Sequence, residues 1–154
     1  MKSCCFFGHR KIKETKELKE NIFKIIEFLI KNEDVDSFLF GSKSKFNDIC
    51  LDAVTDIKKK YNHIKRIYVR AEFPYIDEDY QHYLLEHYEE TYFPKNIIKA
   101  GKFVYIERNY EMINKSDYCV VYFDSENLPD NRKSGTKIAL EYAKKKNKKI
   151  INLA

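Results

Sequence analysis

Hydrophobic positions along this chain alternate between two patterns. Short apolar runs fall at Ser3 to Phe7, Asp36 to Phe40, Arg66 to Ala71, Tyr118 to Phe123 and Lys149 to Leu153, each bounded by polar residues, glycine or proline. Runs of that kind predict strands buried in a sheet. Between them the apolar residues follow a helical period: Leu18, Ile22, Ile25, Ile26 and Leu29 in one segment, Phe46, Ile49, Cys50, Ala53 and Ile57 in the next. Lysines and glutamates fill the other face from Lys13 to Lys31, so this helix is expected to lie on a sheet. Ser42 or Ser44 is available to cap the second helix.

Further along, Asp77 to Glu90 predicts a tyrosine-rich helix with Tyr80, Tyr83, Leu84, His87 and Tyr88 on one side. Glu107 to Lys115 predicts a short helix with Tyr110 and Ile113 inward, and Thr136 to about Lys146 the last helix. Phe93-Pro94 breaks the pattern, Asn96 to Ala100 suits no single element, and Phe103 to Ile106 suits a short edge strand or a loop. Strands alternating with helices in this way predict an α/β fold: a mostly parallel sheet of about five strands with helices on both faces.

Length and composition narrow this picture. The chain has 154 residues, 44% of them hydrophobic, which fits a single domain spanning 1–154 with a substantial core. Its net charge of +5 arises from 29 basic against 24 acidic residues and is concentrated in Lys58-Lys59-Lys60 and Lys144 to Lys149. A surplus so interleaved with acids suits solvated helix faces better than a nucleic-acid groove, while favouring a small anionic ligand. The four cysteines, Cys4, Cys5, Cys50 and Cys119, lack CxxC spacing, so neither a metal site nor a disulfide framework is expected. No apolar stretch approaches the roughly 20 residues needed to span a bilayer, and the expectation is a soluble, cytoplasmic protein without membrane partners.

Candidate chemistry gathers where such sheets bind ligands, beyond the carboxyl ends of the strands. Four loops are predicted to meet there: Gly8-His9-Arg10, Gly41-Ser42, Ala71-Glu72, and the stretch from Asp124 through the polar loop to Lys133, Ser134, Gly135 and Thr136. Glycines let backbone N–H groups approach a ligand, a helix N-terminus adds partial positive charge, and Arg10 offers phosphate a bidentate contact.

Each side chain also has an ordinary structural role open to it. His9 suits a proton donor, a phosphate contact or a structural loop histidine. Asp48 suits a ribose hydroxyl or the helix dipole, and Glu72 suits acid-base work or a salt bridge to Arg70 or Arg66. Asp117 suits a cap or a pairing with Arg108. Tyr68, Tyr75, Tyr80 and Tyr83 suit a purine-stacking wall or partly buried packing. Neither GxxxxGK[ST] nor a complete GxGxxG occurs, which disfavours a P-loop kinase or a dinucleotide dehydrogenase.

Several segments resemble one family. Cys4-Cys5-Phe6-Phe7-Gly8-His9-Arg10 resembles the CxFTGHR opening of the YpsA-like proteins of the SLOG superfamily of Rossmann-like folds. Arg108 to Asp117 resembles the family's RNxxMVDxSD segment, and Ser134-Gly135-Thr136 with Tyr142-Ala143 its GGTxxxxxYA end. The family's GGAxGxD turn corresponds to Gly41-Ser42 through Asp48, with Lys43, Ser44 and Lys45 between. The resemblance implies a Rossmann-like domain that senses or sequesters a nucleotide or nucleotide-derived molecule, such as an ADP-ribose-like or cyclic nucleotide signal. It also implies homo-oligomers, which are frequent among relatives; no cofactor is expected.

Other branches of the superfamily cleave N-glycosidic bonds or transfer deoxyribosyl groups, using a glutamate three residues after the threonine. That position is Ala139 here; Glu141, two residues on, is turned about 200° around the helix. An N-glycoside hydrolase or transferase would therefore have to use Glu72 as nucleophile or acid-base. A structural partner protein with a vestigial pocket is the third expectation.

Overall fold

The computed structural model describes residues 2–98, 101–127 and 134–154. The end of the polar loop expected up to Lys133, from residue 128 onward, lies outside the described residues, as do positions 99–100 of the ambiguous stretch.

Six strands form one all-parallel sheet: β1 Lys2–Gly8, β2 Val35–Phe40, β3 Lys65–Val69, β4 Glu90–Tyr92, β5 Tyr118–Tyr122 and β6 Lys149–Asn152. Their order across the sheet is β4-β3-β2-β1-β5-β6. The central strand β1 pairs with β2 on one edge, Cys4 opposite Phe38, and with β5 on the other, Cys5 opposite Cys119. Its residues from Cys4 to Gly8 are all buried, which explains an apolar run without alternation: both faces of the strand are covered.

Alternate residues of β1 supply two cores. Cys4 and Phe6 point into a cluster with Phe38, Phe40, Leu29, Phe46, Val54 and Leu84. That cluster buries the apolar stripes of α1 Lys16–Asn32 and α2 Lys45–Lys58 and the single buried residue of α3 Glu78–His87. Cys5 and Phe7 point the other way, to Leu39, Val69 and Val121. There they meet Met112 and Ile113 of α4 Phe103–Lys115 and Ala139, Leu140 and Ala143 of α5 Gly135–Lys145. All four cysteines are buried free thiols, and the Cys5 and Cys119 sulfurs lie 3.5 Å apart across neighbouring strands.

Two segments depart from the pattern. Phe103 to Ile106 begins α4; its β-favouring side chains yield to a helical period that carries Arg108, Met112 and Ile113 inward. The tyrosine-rich helix ends at His87, and Glu90–Tyr92 turns into an edge strand too short and polar to show a period. Caps fall where short polar residues precede each period: Thr15, Ser44, Asp77 and Ser134 accept backbone N–H bonds at the starts of α1, α2, α3 and α5.

The β3 end of the sheet is tied by an ion pair. Arg66 Nη2 donates to Glu89 Oε2 at 2.6 Å and Arg66 Nε to Glu89 Oε1 at 3.1 Å, with a further bond from Arg66 Nη1 to Thr55 on α2. Partial burial pushes the Glu89 carboxyl up, but the Arg66 bonds outweigh it and hold the group below the usual glutamate range. A lowered folded pKa contributes stability that is present above the unfolded value and lost as pH falls through the folded one. The unfolding free energy of the protein is therefore expected to exceed that of Glu89→Gln at neutral pH by about 1–3 kcal/mol. The gap should close in acid, as measured by urea titrations from pH 7 down to pH 3.

Candidate functional site

The sheet order places β1 and β5 side by side at its centre, with the chain leaving them toward opposite faces. Beyond their carboxyl ends opens a cavity of about 510 Å³. Its wall includes Gly8, His9 and Arg10 after β1, Ser42, Lys43 and Ser44 after β2, Arg70 to Phe73 after β3, and Ser134, Gly135 and Thr136 opening α5. Tyr68, Tyr80, Tyr105, Arg108 and Asn109 complete it. A second hollow shares Arg10, Ser42, Lys43, Ser44 and Tyr68 with the first and adds Gly41, Asn47, Asp48 and Tyr88.

Two glycines are explained by what surrounds them. A Cβ on Gly8 would lie 2.4 Å from the Cβ and Cγ of Phe46, so β1 ends in glycine to let α2 pack across it. A Cβ on Gly41 would lie 2.8 Å from Arg108 Cδ and 3.0 Å from Met112 Sδ, so the loop after β2 closes on the α4 side chains. Gly135 differs: a Cβ there meets nothing within 4 Å.

The two helix N-termini at the cavity are not equivalent. At α2, Lys45 N–H donates to Arg10 O and Asn47 N–H to Ser44 Oγ, both at 3.0 Å, so two of its first donors are already engaged. At α5, Ser134 Oγ accepts from Lys137 N–H at 3.1 Å, while Gly135 and Thr136 supply the first amides of the helix beside open space. First-turn amides have no intrahelical partner and carry the positive end of the dipole.

Guanidinium groups dominate the remaining wall. Arg108 is 6% exposed and donates from Nη1 to Gly41 O at 2.6 Å and from Nε to Asn109 Oδ1 at 3.2 Å. Burial lowers its pKa, an effect that Tyr68, Tyr105 and Glu72 oppose. Arg70 and Arg10 lie on the same cavity, and an arginine stays charged throughout the accessible pH range.

Glu72 is the one carboxylate among the described lining residues of the main cavity. It accepts a hydrogen bond from the Tyr105 hydroxyl and lies 4.0 Å from Lys43 Nζ; the Glu72 bond pushes the Tyr105 hydroxyl pKa up. The alternative partners expected for it are placed otherwise, since Arg66 is bound to Glu89. Asp48 is exposed on the second hollow, its carboxyl raised by partial desolvation, which Lys45 opposes.

His9 Nε2 accepts the Asp124 N–H at 2.9 Å, and its ring packs against Tyr122 and Phe123. One ring nitrogen of His9 is thus spent joining the ends of β1 and β5. Asp124 caps the following turn through Oδ1 and lines neither hollow. Asp117 accepts from Ser3 N–H, not from Arg108. Of the four tyrosines expected as a stacking wall, Tyr68 and Tyr80 line the cavity with Phe73; Tyr75 is 93% exposed and Tyr83 57%. Arg70, Arg108 and Tyr105 were not legible as cavity residues from the sequence; the signals were Arg70's place at the carboxyl end of a predicted strand and Arg108's place at the head of a family-like segment.

Ala139 is 1% exposed in the core shared by α4 and α5, and Glu141 is exposed on the far side of α5. Neither reaches the cavity. Among the described residues no group of three or more His, Cys, Asp or Glu side chains is placed to hold a metal, and no helix is long and apolar enough to cross a membrane.

The glycine environments give opposite expectations. Gly8→Ala should destabilise by about 1–3 kcal/mol through overpacking against Phe46. Gly135→Ala should stay within about 0.5 kcal/mol of the parent protein. Denaturant titrations of the two variants check the contrast, and equal losses would mean that Gly135 is packed.

No curated protein matches the chain. Residues 3–154 match the model of the YspA SLOG family, and the chain belongs to that family.

Proposed function

We propose that the protein binds a nucleotide or nucleotide-derived anion, and that its role is to sense or sequester that molecule. The observation that carries this reading is the convergence of Arg10, Arg70 and Arg108 with the open N-terminus of α5 on one cavity at the centre of the sheet. Phosphate oxygens are matched by guanidinium forks and by helix amides. Tyr68, Phe73 and Tyr80 offer apolar faces on which a base can stack. The hollow beside Asp48 and Asn47 adds acceptors suited to sugar hydroxyls. In this reading Gly8, His9, Gly41 and Asp124 shape the loops, while Arg10, Ser42, Ser134, Gly135 and Thr136 meet the ligand.

A second reading rests on Glu72. It is a carboxylate at the cavity wall, and a nucleotide N-glycoside hydrolase or transferase would use it as nucleophile or acid-base. Its bond to Tyr105 and its proximity to Lys43 hold the side chain in place, which suits positioning a ligand better than turning to attack one.

Thermal unfolding with nucleoside monophosphates, NAD and cyclic ADP-ribose isomers, followed by chromatography for released base, separates the readings. A bound nucleotide at 100 times its dissociation constant stabilises by about 2.7 kcal/mol, roughly 5–10 °C for a chain of this size. That shift should be lost in Arg10→Ala, and no base should be released. Turnover abolished by Glu72→Gln would establish the enzyme reading; no shift with any nucleotide would leave a partner protein with a vestigial pocket.

A further inference from the structure

Two arginines, Arg66 within β3 and Arg70 just past its carboxyl end, have opposite surroundings. Arg66 is fully matched by the Glu89 carboxylate and Thr55. Arg70, four residues on and at the cavity wall, has Nε and Nη1 buried without a hydrogen-bond partner. The nearest acid in sequence, Glu72, is committed to Tyr105 and Lys43. Among the described residues no carboxylate forms a salt bridge with Arg70.

A buried donor without an acceptor is rare and costly in a folded protein, and a charged one more so. Burial accordingly depresses the Arg70 pKa, opposed only by the nearby tyrosines Tyr80 and Tyr68. Retaining such a group at the rim of a cavity makes sense if its acceptor arrives with a ligand.

We propose that Arg70 is an anion-binding residue of this cavity, left unsatisfied in the free protein for a phosphate or carboxylate group of the ligand. The proposal rests on the nucleotide-binding reading, which counts Arg70 among the guanidiniums of the wall, and gives that residue a role of its own: a donor pair held without an acceptor until the ligand arrives. Nε and Nη1 are closed off from solvent in the free protein, so their use by an anion requires the side chain to turn into the cavity. The ligand therefore meets a fork that costs the free protein stability and is repaid on binding.

This gives a test in which two effects have opposite signs. Arg70→Met keeps the length of the side chain and removes the unsatisfied donors. Its unfolding midpoint without ligand should equal or exceed that of the parent protein. Its affinity for ADP and for inorganic pyrophosphate should fall roughly tenfold to a hundredfold, the loss expected for a charge-assisted hydrogen bond. Arg70→Lys keeps the charge without the fork and should also bind more weakly, so the affinity arm survives if the Met variant folds poorly.

A lower midpoint for a well-folded Arg70→Met, or unchanged affinity in either variant, would overturn the proposal. Should pyrophosphate bind in an Arg70-dependent way while no nucleotide does, the nucleotide reading fails and the Arg70 assignment stands. If neither binds the parent protein, both fall.

Discussion

Parallel pairing of β1 with β2 on one edge and β5 on the other is the constraint from which the rest of the molecule follows. A parallel strand reaches its neighbour only through a crossover, and the crossovers from this centre run in opposite directions along the sheet. Helices α1, α2 and α3 consequently cover one face and α4 and α5 the other. The chain parts above β1 and β5, and among the described residues no element fills the gap. Backbone amides and loop side chains surround that crevice because apolar strand positions are consumed by the two cores below.

Side-chain chemistry follows from the same arrangement. Gly8 yields space to Phe46, so α2 crosses close to the end of β1 and its first amide can reach Arg10 O. Gly41 yields space to Arg108, so a helix from the opposite face sends a guanidinium under the loop after β2. The bond from Arg108 Nη1 to Gly41 O ties α4 to the loop between β2 and α2 beside the cavity. It also places a fixed positive charge where the sheet itself has none.

Much of this was legible in the sequence, and what was not has physical reasons. Strands β1, β2 and β5 announced themselves as apolar runs because most of their residues are buried, and β3 and β6, only partly buried, because their short apolar runs stand between polar residues. Glu90–Tyr92 is an edge strand of three residues, where pairing with β3 alone decides the conformation, and no period can show in so short a segment. Phe103 to Ile106 suited a short edge strand or a loop by composition, yet Arg108, Met112 and Ile113 repay a helix with burial. The loops of the site were legible as strand ends. Arg70 and Arg108 suited ion pairs with Glu72 and Asp117, and Arg108 also headed a family-like segment, but sequence does not reveal which acids other groups will claim. Tyr105 claims Glu72 and Ser3 N–H claims Asp117.

The balance of charge at the cavity decides what kind of chemistry it favours. Arg10, Arg70, Arg108 and the amides of α5 face one described carboxylate, Glu72, which Tyr105 and Lys43 already engage. Bond cleavage at a sugar requires a carboxylate free to attack or to pass a proton, and the helical position where relatives in other branches carry it is here Ala139, packed in the core. A glutamate at that position would be buried among Met112, Cys119 and Leu140, and a charge there would be strongly disfavoured. Converting this site to hydrolysis would therefore demand more than one substitution on α5: the helix would have to turn a different face to the cavity. Binding demands no such change, since a multiply charged anion supplies the counter-charge that the free cavity lacks.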